Sequence, residues 1–171
     1  SGSYLAGRLA GGDKDFGQAA AFFEEALAAD PSNSILLERV FLLKLANGDI
    51  EEAGHYASEL ARLGDQNFLA QLTLGGEAML NGSYQEANDA LAKNPGGPLA
   101  ELSTEISRAW ALYGAGQVDE ALAAIDALSG PEWFDVFKST HKALIAFAAG
   151  RNDTALEEIE TAYKADQGAI R

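Results

Sequence analysis

The two histidines, His55 and His141, are the residues of this 171-residue chain best suited to bind a metal ion or transfer a proton. They are far apart in the sequence, and neither belongs to a His-x-x-x-His pair, the helical spacing that directs two imidazoles to one metal ion. The chain has no cysteine, which excludes a thiolate metal site, a disulfide and a cysteine nucleophile. We therefore predict no metal site and no catalytic residue.

Two short segments begin like ligand-binding loops without completing them. Gly114-Ala115-Gly116 starts a nucleotide-binding pattern, but Asp119 stands where a third glycine is needed and no strand precedes the segment. Asp13 and Asp15 start a calcium loop, but Gly17 has no side-chain oxygen for the third ligand position. The sequence thus predicts no cofactor, and we expect that the protein is not an enzyme.

The charge of the chain bears on its partners. It has 12 Lys and Arg residues against 26 Asp and Glu residues, a formal net charge of -14, so its surface should repel nucleic acid and anionic membranes. No run of about 18 apolar residues is present, and we expect no direct insertion into a bilayer. The compartment stays open: cytoplasm, periplasm and secretion are all compatible with a chain that lacks cysteine.

The first residues of the chain indicate whether it is a whole protein or a part of one. The chain opens with Ser1-Gly2-Ser3, and its single methionine is Met79. We expect it to be a piece of a longer protein.

Small residues recur with a period of 34. Steps of 34 residues from Ala19 reach Ala53, Ala87, Ala121 and Ala155. Five residues before the last four alanines stand Gly48, Gly82, Gly116 and Gly150. Each of these glycines separates two segments with helical periodicity, and acidic residues follow it, where the positive end of the next helix dipole favours them. The pattern predicts a helix, a tight turn and a second helix, repeated, with an alanine where two helices cross closely.

This pattern resembles the tetratricopeptide repeat (TPR) family, whose repeat is 34 residues long. The first unit carries Gly7, Phe16, Ala19, Phe23, Ala26 and Pro31, and the fourth carries Ala109, Leu112, Gly116, Val118, Ala121, Ile125 and Leu128. The resemblance implies an all-α, right-handed α-solenoid of five helix-turn-helix repeats with about ten antiparallel helices. We predict one repeat domain over residues 1–171, with units at about 1–33, 34–67, 68–101, 102–135 and 136–169.

The resemblance also implies a protein-protein interaction scaffold whose first helices line a concave groove for a partner. Family contact positions map onto Arg39, Leu42, Leu72, Met79, Ile106, Trp110, Tyr113, His141, Leu144 and Phe147, which make the groove largely apolar. The cationic clamp with which some family members hold a peptide carboxylate is absent. An apolar groove suits an amphipathic helix or an extended apolar peptide.

The large residues of the predicted groove have a second possible role, which is packing between helices. Packing against the adjacent first helix explains Leu42, Leu72, Leu144 and Phe147 better than a partner contact does. For Trp110 and Tyr113 both interpretations stand, because each ring carries a polar group that is usually left near solvent or a partner.

Two further features affect the shape of the predicted solenoid. The segment Asn94-Pro95-Gly96-Gly97-Pro98 cannot continue a helix, so the second helix of the third unit should end near Lys93. At the C-terminal end, Leu156, Ile159 and Tyr163 form an apolar face without a capping helix. The alternative function is structural: this face pairs with another copy of the chain, as a homo-oligomer, or with later repeats of the parent protein.

Overall fold

The structure is a computed structural model that describes residues 2–12, 15–64, 67–92 and 96–169, the last five by their backbone only. All regular structure in these residues is helical, in ten helices. They are α1 (Gly2–Gly12), α2 (Phe16–Ala29), α3 (Ser34–Asn47), α4 (Ile50–Arg62), α5 (Phe68–Leu80), α6 (Tyr84–Leu91), α7 (Pro98–Gly114), α8 (Val118–Ala127), α9 (Phe134–Ala148) and α10 (Asn152–Ala169).

The four periodic glycines make the same turn four times. Their φ angles are 86° at Gly48, 74° at Gly82, 81° at Gly116 and 76° at Gly150, a left-handed conformation that a Cβ atom disfavours. At the first turn the Gly48 N–H donates to the Leu45 carbonyl (3.1 Å) and the Asp49 N–H donates to the Lys44 carbonyl (2.9 Å). The other three turns repeat both bonds in the same register. These paired bonds satisfy the last carbonyls of one helix and allow the next helix to begin two residues later.

The five periodic alanines lie at helix contacts. Ala19, Ala53, Ala87 and Ala121 are fully buried, and Ala155 is 7% exposed. Their position near the start of each second helix lets the two helices of a hairpin approach closely, as the spacing predicts.

The chain divides into two compact units, Ser1–Leu74 and Gly75–Arg171. In the first unit, Phe23 and Leu27 of α2 share a buried cluster with Leu37, Val40 and Phe41 of α3, which α4 closes with Ala53, Ala57 and Leu60. Stacking of one hairpin on the next therefore buries the apolar face that a single hairpin would leave exposed.

A polar network joins three helices of the first unit. Lys44 of α3 pairs with Glu24 of α2 at 3.0 Å and with Glu52 of α4, and the Tyr56 hydroxyl donates to Glu24 at 2.8 Å. Burial, followed by the hydrogen bond to Glu24, raises the pKa of Tyr56 to about 12. Burial acts to lower the pKa of Lys44, but its hydrogen bonds to Glu52 and Glu24 outweigh burial and raise that pKa. The network holds α2, α3 and α4 in one arrangement.

In the second unit two clusters surround α7 and α9. Ala109, Leu122, Ile125, Ile145 and Ala146 form the first cluster with Ala121 and Ala155. Leu102, Ile106, Leu128 and Phe134 form the second. Helix α7 thus contributes to both clusters and forms the centre of the unit.

The proline-rich segment follows a short helix, α6, and its last proline begins the next helix, α7. Helix α6 has eight residues and ends at Leu91, before Lys93, which lies outside the described residues. Pro98 occupies the first turn of α7, where its missing N–H would have no helical partner. Helix α7 therefore begins at Pro98, ahead of the predicted boundary of the fourth unit at residue 102.

The all-helical repeat architecture predicted from the sequence is confirmed, with ten helices in the described residues. The prediction that residues 1–171 form a single domain stays a prediction. Among the described residues, no helix has the length and apolar character needed to cross a membrane.

Candidate functional site

One face of α9 presents large apolar side chains to solvent. Phe137 is 45% exposed, Leu144 is 47% exposed and Phe147 is 68% exposed. Their spacing of seven and three residues places them on one side of the helix. We call these three residues the α9 patch. Most of the Phe147 side chain is accessible, so Phe147 is not a core residue, whereas Leu144 is partly buried.

Trp110 and Tyr113 of α7 lie beside the α9 patch and are fixed by hydrogen bonds. The Trp110 indole N–H donates to His141 Nδ1 at 3.0 Å, and the Tyr113 hydroxyl donates to the Ala148 carbonyl at 3.1 Å. The two rings meet edge to face with centroids 5.7 Å apart. The polar groups of both rings are therefore used within the chain, and the apolar parts of these half-buried rings are what they offer to a partner.

His141 orients Trp110 and carries no proton on the accepting nitrogen. Burial lowers the pKa of His141, which favours the neutral imidazole that this hydrogen bond requires. The ring of His141 also meets the Trp110 ring edge to face, with centroids 6.3 Å apart. His141 thus connects α7 and α9.

Ile106 does not lie on the accessible surface. It is 8% exposed and packs with Leu102, Leu128 and Phe134, and Trp110 rests on this cluster. Its placement among the partner contacts is corrected: Ile106 supports Trp110 from beneath.

The predicted contact residues outside α7 and α9 are distributed over both units. In the first unit Arg39 is exposed, with its guanidinium 5.8 Å from the centre of the Phe23 ring, and Leu42 is 37% exposed. Leu42 is therefore only partly buried, and its packing interpretation stays a prediction. Leu72 is half-buried, and so is Met79 in the second unit. The structure brings together Trp110, Tyr113, His141, Leu144 and Phe147.

Sequence reasoning missed two exposed apolar residues of α1. Leu5 and Leu9 are 67% and 71% exposed, which is close to the 68% of Phe147 and more than the other two residues of the α9 patch. Their spacing of four residues is the signal that could have found them, because it places both on one side of a helix.

Charged side chains do not form an evident ligand site in the described part of the chain. No group of three or more His, Asp or Glu residues there could hold a metal ion. A surface cleft between α8, α9 and α10 contains three lysines. Lys142 pairs with Asp126 (2.6 Å) and Glu158 (2.9 Å), and Lys138 donates to the Leu128 carbonyl. Lys164 pairs with Glu160 at 3.8 Å, so carboxylates already offset the charge of two of the three lysines.

The repeated hairpins, their turn glycines and their buried alanines define the chain as having a TPR fold. No family model and no curated protein matches the sequence.

Solved TPR structures are similar to the chain over nearly its whole length. A MamA fragment from Desulfovibrio magneticus RS-1 has 14% identity, covers 97% of this chain and 94% of its own, and gives a TM-score of 0.77. A Podosopora anserina protein with nearly identical TPR-like repeats of the kinesin light chain type has 18% identity, coverage of 99% and 95%, and a TM-score of 0.72. YrrB, a TPR protein with an unusual peptide-binding site, has 18% identity, coverage of 95% and 84%, and a TM-score of 0.72. At these identities the likeness establishes the fold.

Proposed function

We propose that this protein is a non-catalytic interaction scaffold that binds an amphipathic helix or apolar peptide of a partner protein on the α9 patch. The observation that carries the proposal is the exposure of Phe137, Leu144 and Phe147 on one side of α9. Solvent-exposed side chains of this size, grouped on one face, are typical of an interaction site. The likeness to YrrB, which has a peptide-binding site, supports a peptide as the class of ligand.

The rings of Trp110 and Tyr113, beside the patch, are suited to form a rigid contact surface for a partner. Trp110 is held by His141, and Tyr113 is held by the Ala148 carbonyl, so neither ring loses much conformational freedom when a partner binds. Rigid aromatic residues at the centre of an interface commonly contribute most of its binding energy. A partner helix would place apolar residues at i, i+3, i+4 and i+7 against this surface.

The net charge of -14 predicts which charge the polar side of a partner helix carries. A helix with lysine or arginine outside its apolar stripe would be attracted to the chain, whereas an acidic helix would be repelled. We therefore expect a basic amphipathic helix.

The proposal is tested by selecting from a displayed library of amphipathic 18-residue helices against the purified chain. We expect the selected helices to lose about tenfold or more in affinity for Phe147→Ala and for Leu144→Ala, since each change removes a large part of an apolar contact. Leu5→Ala is the matched control, because Leu5 is as exposed as Phe147 but lies on α1. Fluorescence anisotropy measures the affinities, and circular dichroism checks that each variant stays helical.

Equal affinity of the selected helices for the wild-type chain, Phe147→Ala and Leu144→Ala would contradict the proposal. Loss of affinity on Leu5→Ala alone would place the binding surface on α1 instead.

Self-association is a second candidate function, favoured by α10. Leu156 is 65% exposed, Ile159 is 58% exposed and Tyr163 is 64% exposed, and the three lie on one side of the helix. We call these residues the α10 face. A second copy of the chain could cover it.

A further inference from the structure

The hydrogen bond between Trp110 and His141 depends on the charge of the imidazole. The Trp110 indole N–H donates to His141 Nδ1 at 3.0 Å. A neutral imidazole has one unprotonated nitrogen that can accept such a bond, whereas an imidazolium donates from both nitrogens. Protonation of His141 therefore breaks this bond and sets two N–H groups against each other at the contact between α7 and α9.

His141 is flanked by residues of the α9 patch. Phe137 precedes it by four residues and Leu144 follows it by three, so both lie beside it on the surface of the helix. The side chain of His141 is half-buried in the free chain. A partner that covers Phe137 and Leu144 would also cover the exposed part of this imidazole. Because burial disfavours the charged form, His141 should be harder to protonate in the complex than in the free chain.

Burial, and not a neighbouring charge, lowers the pKa of His141. The titratable residue of α7 on the side of Trp110 is Tyr113, and its hydroxyl donates to the Ala148 carbonyl. Charged side chains of the helices packed around α9 are engaged elsewhere: Glu105 with Arg108 on α7, Lys142 of α9 with Asp126 of α8 and Glu158 of α10, and Lys138 of α9 with the Leu128 carbonyl. A further increase in burial therefore acts directly on the charge of His141.

We infer that a partner helix binds the α9 patch most tightly while His141 is neutral, so that acidification weakens the complex. This inference rests on the helix binding proposed above and adds the control of that site. Two effects act in the same direction. The imidazolium no longer accepts the bond that holds the Trp110 ring in place, and a bound partner would have to cover a positive charge.

The direction of the pH dependence follows from proton linkage. If covering His141 lowers its pKa further, the free chain binds more protons than the complex in the interval between the two pKa values. The affinity should therefore be constant above about pH 7.5 and fall as the pH decreases through the pKa of His141 in the free chain. It should level off below the pKa of His141 in the complex.

Affinity measurements at two pH values test the inference. The probe is one of the helices selected against the chain, capped at both ends and free of His, Asp and Glu, so that its own charge does not change. We expect its affinity for the wild-type chain to be about threefold to tenfold lower at about pH 5 than at about pH 7.5, which corresponds to the loss of one hydrogen bond.

The two histidines provide a matched pair of variants. His141→Asn keeps an acceptor oxygen near the place of Nδ1 but does not titrate, so its affinity for the probe should change less than about twofold over the same range. His55→Asn should keep the wild-type pH dependence, because His55 is exposed and belongs to α4 in the first unit.

The outcomes separate this inference from the proposed function. An affinity of the wild-type chain that is the same at both pH values would overturn the inference, and so would an equal decrease in the wild type and His141→Asn. If the selected helices bind Phe147→Ala as tightly as the wild type at about pH 7.5, the proposed function itself fails. Helices that need Phe147 but ignore pH overturn the inference alone.

Nuclear magnetic resonance of the free chain supplies a measurement that does not depend on affinity. Trp110 and Trp133 are the two tryptophans, so Trp133→Phe leaves one indole N–H resonance, that of Trp110. We expect this resonance to move upfield on acidification, with a midpoint below about pH 6.5, the ordinary pKa of histidine, and we expect the probe helix to lower that midpoint. A resonance that does not titrate in this range, or a midpoint that the helix leaves unchanged, would overturn the inference.

Discussion

At the residue scale, close packing within each hairpin depends on one pair of positions that divide a fixed volume between them. A Cβ atom on Gly7 would lie 2.8 Å from the Phe23 ring, and one on Gly75 would lie 2.6 Å from the Leu91 side chain. In the second hairpin the sizes are exchanged, with Phe41 on the first helix and Ala57 on the second, both fully buried. The small residue and the large one change places while the hairpin is preserved, which is how close-packed interiors tolerate substitution.

Two adjacent glycines of α5 provide a test of this packing. A Cβ atom at Gly75 meets fully buried Leu91, whereas one at Gly76 has nothing within 4 Å. We expect Gly75→Ala to lower the free energy of unfolding by about 1 kcal/mol or more, because overpacking outweighs the gain in helix propensity. Gly76→Ala should raise it by about 0.5–1 kcal/mol, because there the propensity acts alone. Urea unfolding followed by circular dichroism measures both.

A double-mutant cycle with Leu91→Ala then assigns the cause. If the cost of Gly75→Ala is unchanged in a Leu91→Ala background, contact with Leu91 is not its origin.

At the scale of elements, the hairpins are held by turns and by ion pairs between helices. The turn glycines accept a backbone conformation that other residues adopt at a cost, and their paired hydrogen bonds fix where the second helix begins. In the first unit the Glu24–Lys44–Glu52 network adds a polar connection across three helices. The turn glycines thus set where each second helix begins, and the ion pairs connect helices of neighbouring hairpins.

Gly116 is the position at which to test the turn, since its φ angle is 81° and a Cβ atom there would meet nothing within 4 Å. We expect Gly116→Ala to cost about 1–2 kcal/mol of unfolding free energy through backbone strain alone. Gly116→Asn should cost less, since asparagine tolerates the left-handed conformation better than other residues. Thermal unfolding of the three proteins gives the order, and an alanine variant as stable as the wild type would show that the turn does not depend on glycine.

At the scale of the whole molecule, charge is the dominant property. The net charge of -14 produces self-repulsion, while several of the observed ion pairs, such as Arg62–Glu59 and Arg151–Asp119, lie at the surface, where such pairs contribute little. The side chains of Lys44 and Lys142 are the better shielded cations of these pairs.

We therefore expect the melting temperature to rise by several degrees between low salt and about 0.5 M NaCl, because screening weakens repulsion more than it weakens these pairs. Calorimetry in sodium chloride measures the shift. A melting temperature that falls with salt would mean that the ion pairs, and not the repulsion, dominate the electrostatics of the folded chain.

The periodic alanines and glycines determined the fold without any coordinates. A period of 34 residues requires that Ala53, Ala87 and Ala121 occupy equivalent places, and a glycine five residues earlier marks a turn that only a few residue types accept. Such preferences belong to the residue types themselves and can be read from the sequence. The same period places Trp110 and Leu144 at one repeat position and Tyr113 and Phe147 at another.

Only the tertiary structure decided which of those positions reach solvent. Ile106 and Phe147 are both large, apolar and on the predicted groove side, yet one is 8% exposed and the other 68%. The exposure of a side chain depends on which neighbouring residues cover it. Leu128 and Phe134 pack against Ile106, whereas most of the Phe147 side chain stays accessible to solvent. The hydrogen bond from Trp110 to His141 likewise joins residues of two hairpins, which the periodicity places on equivalent helices but does not bring into contact.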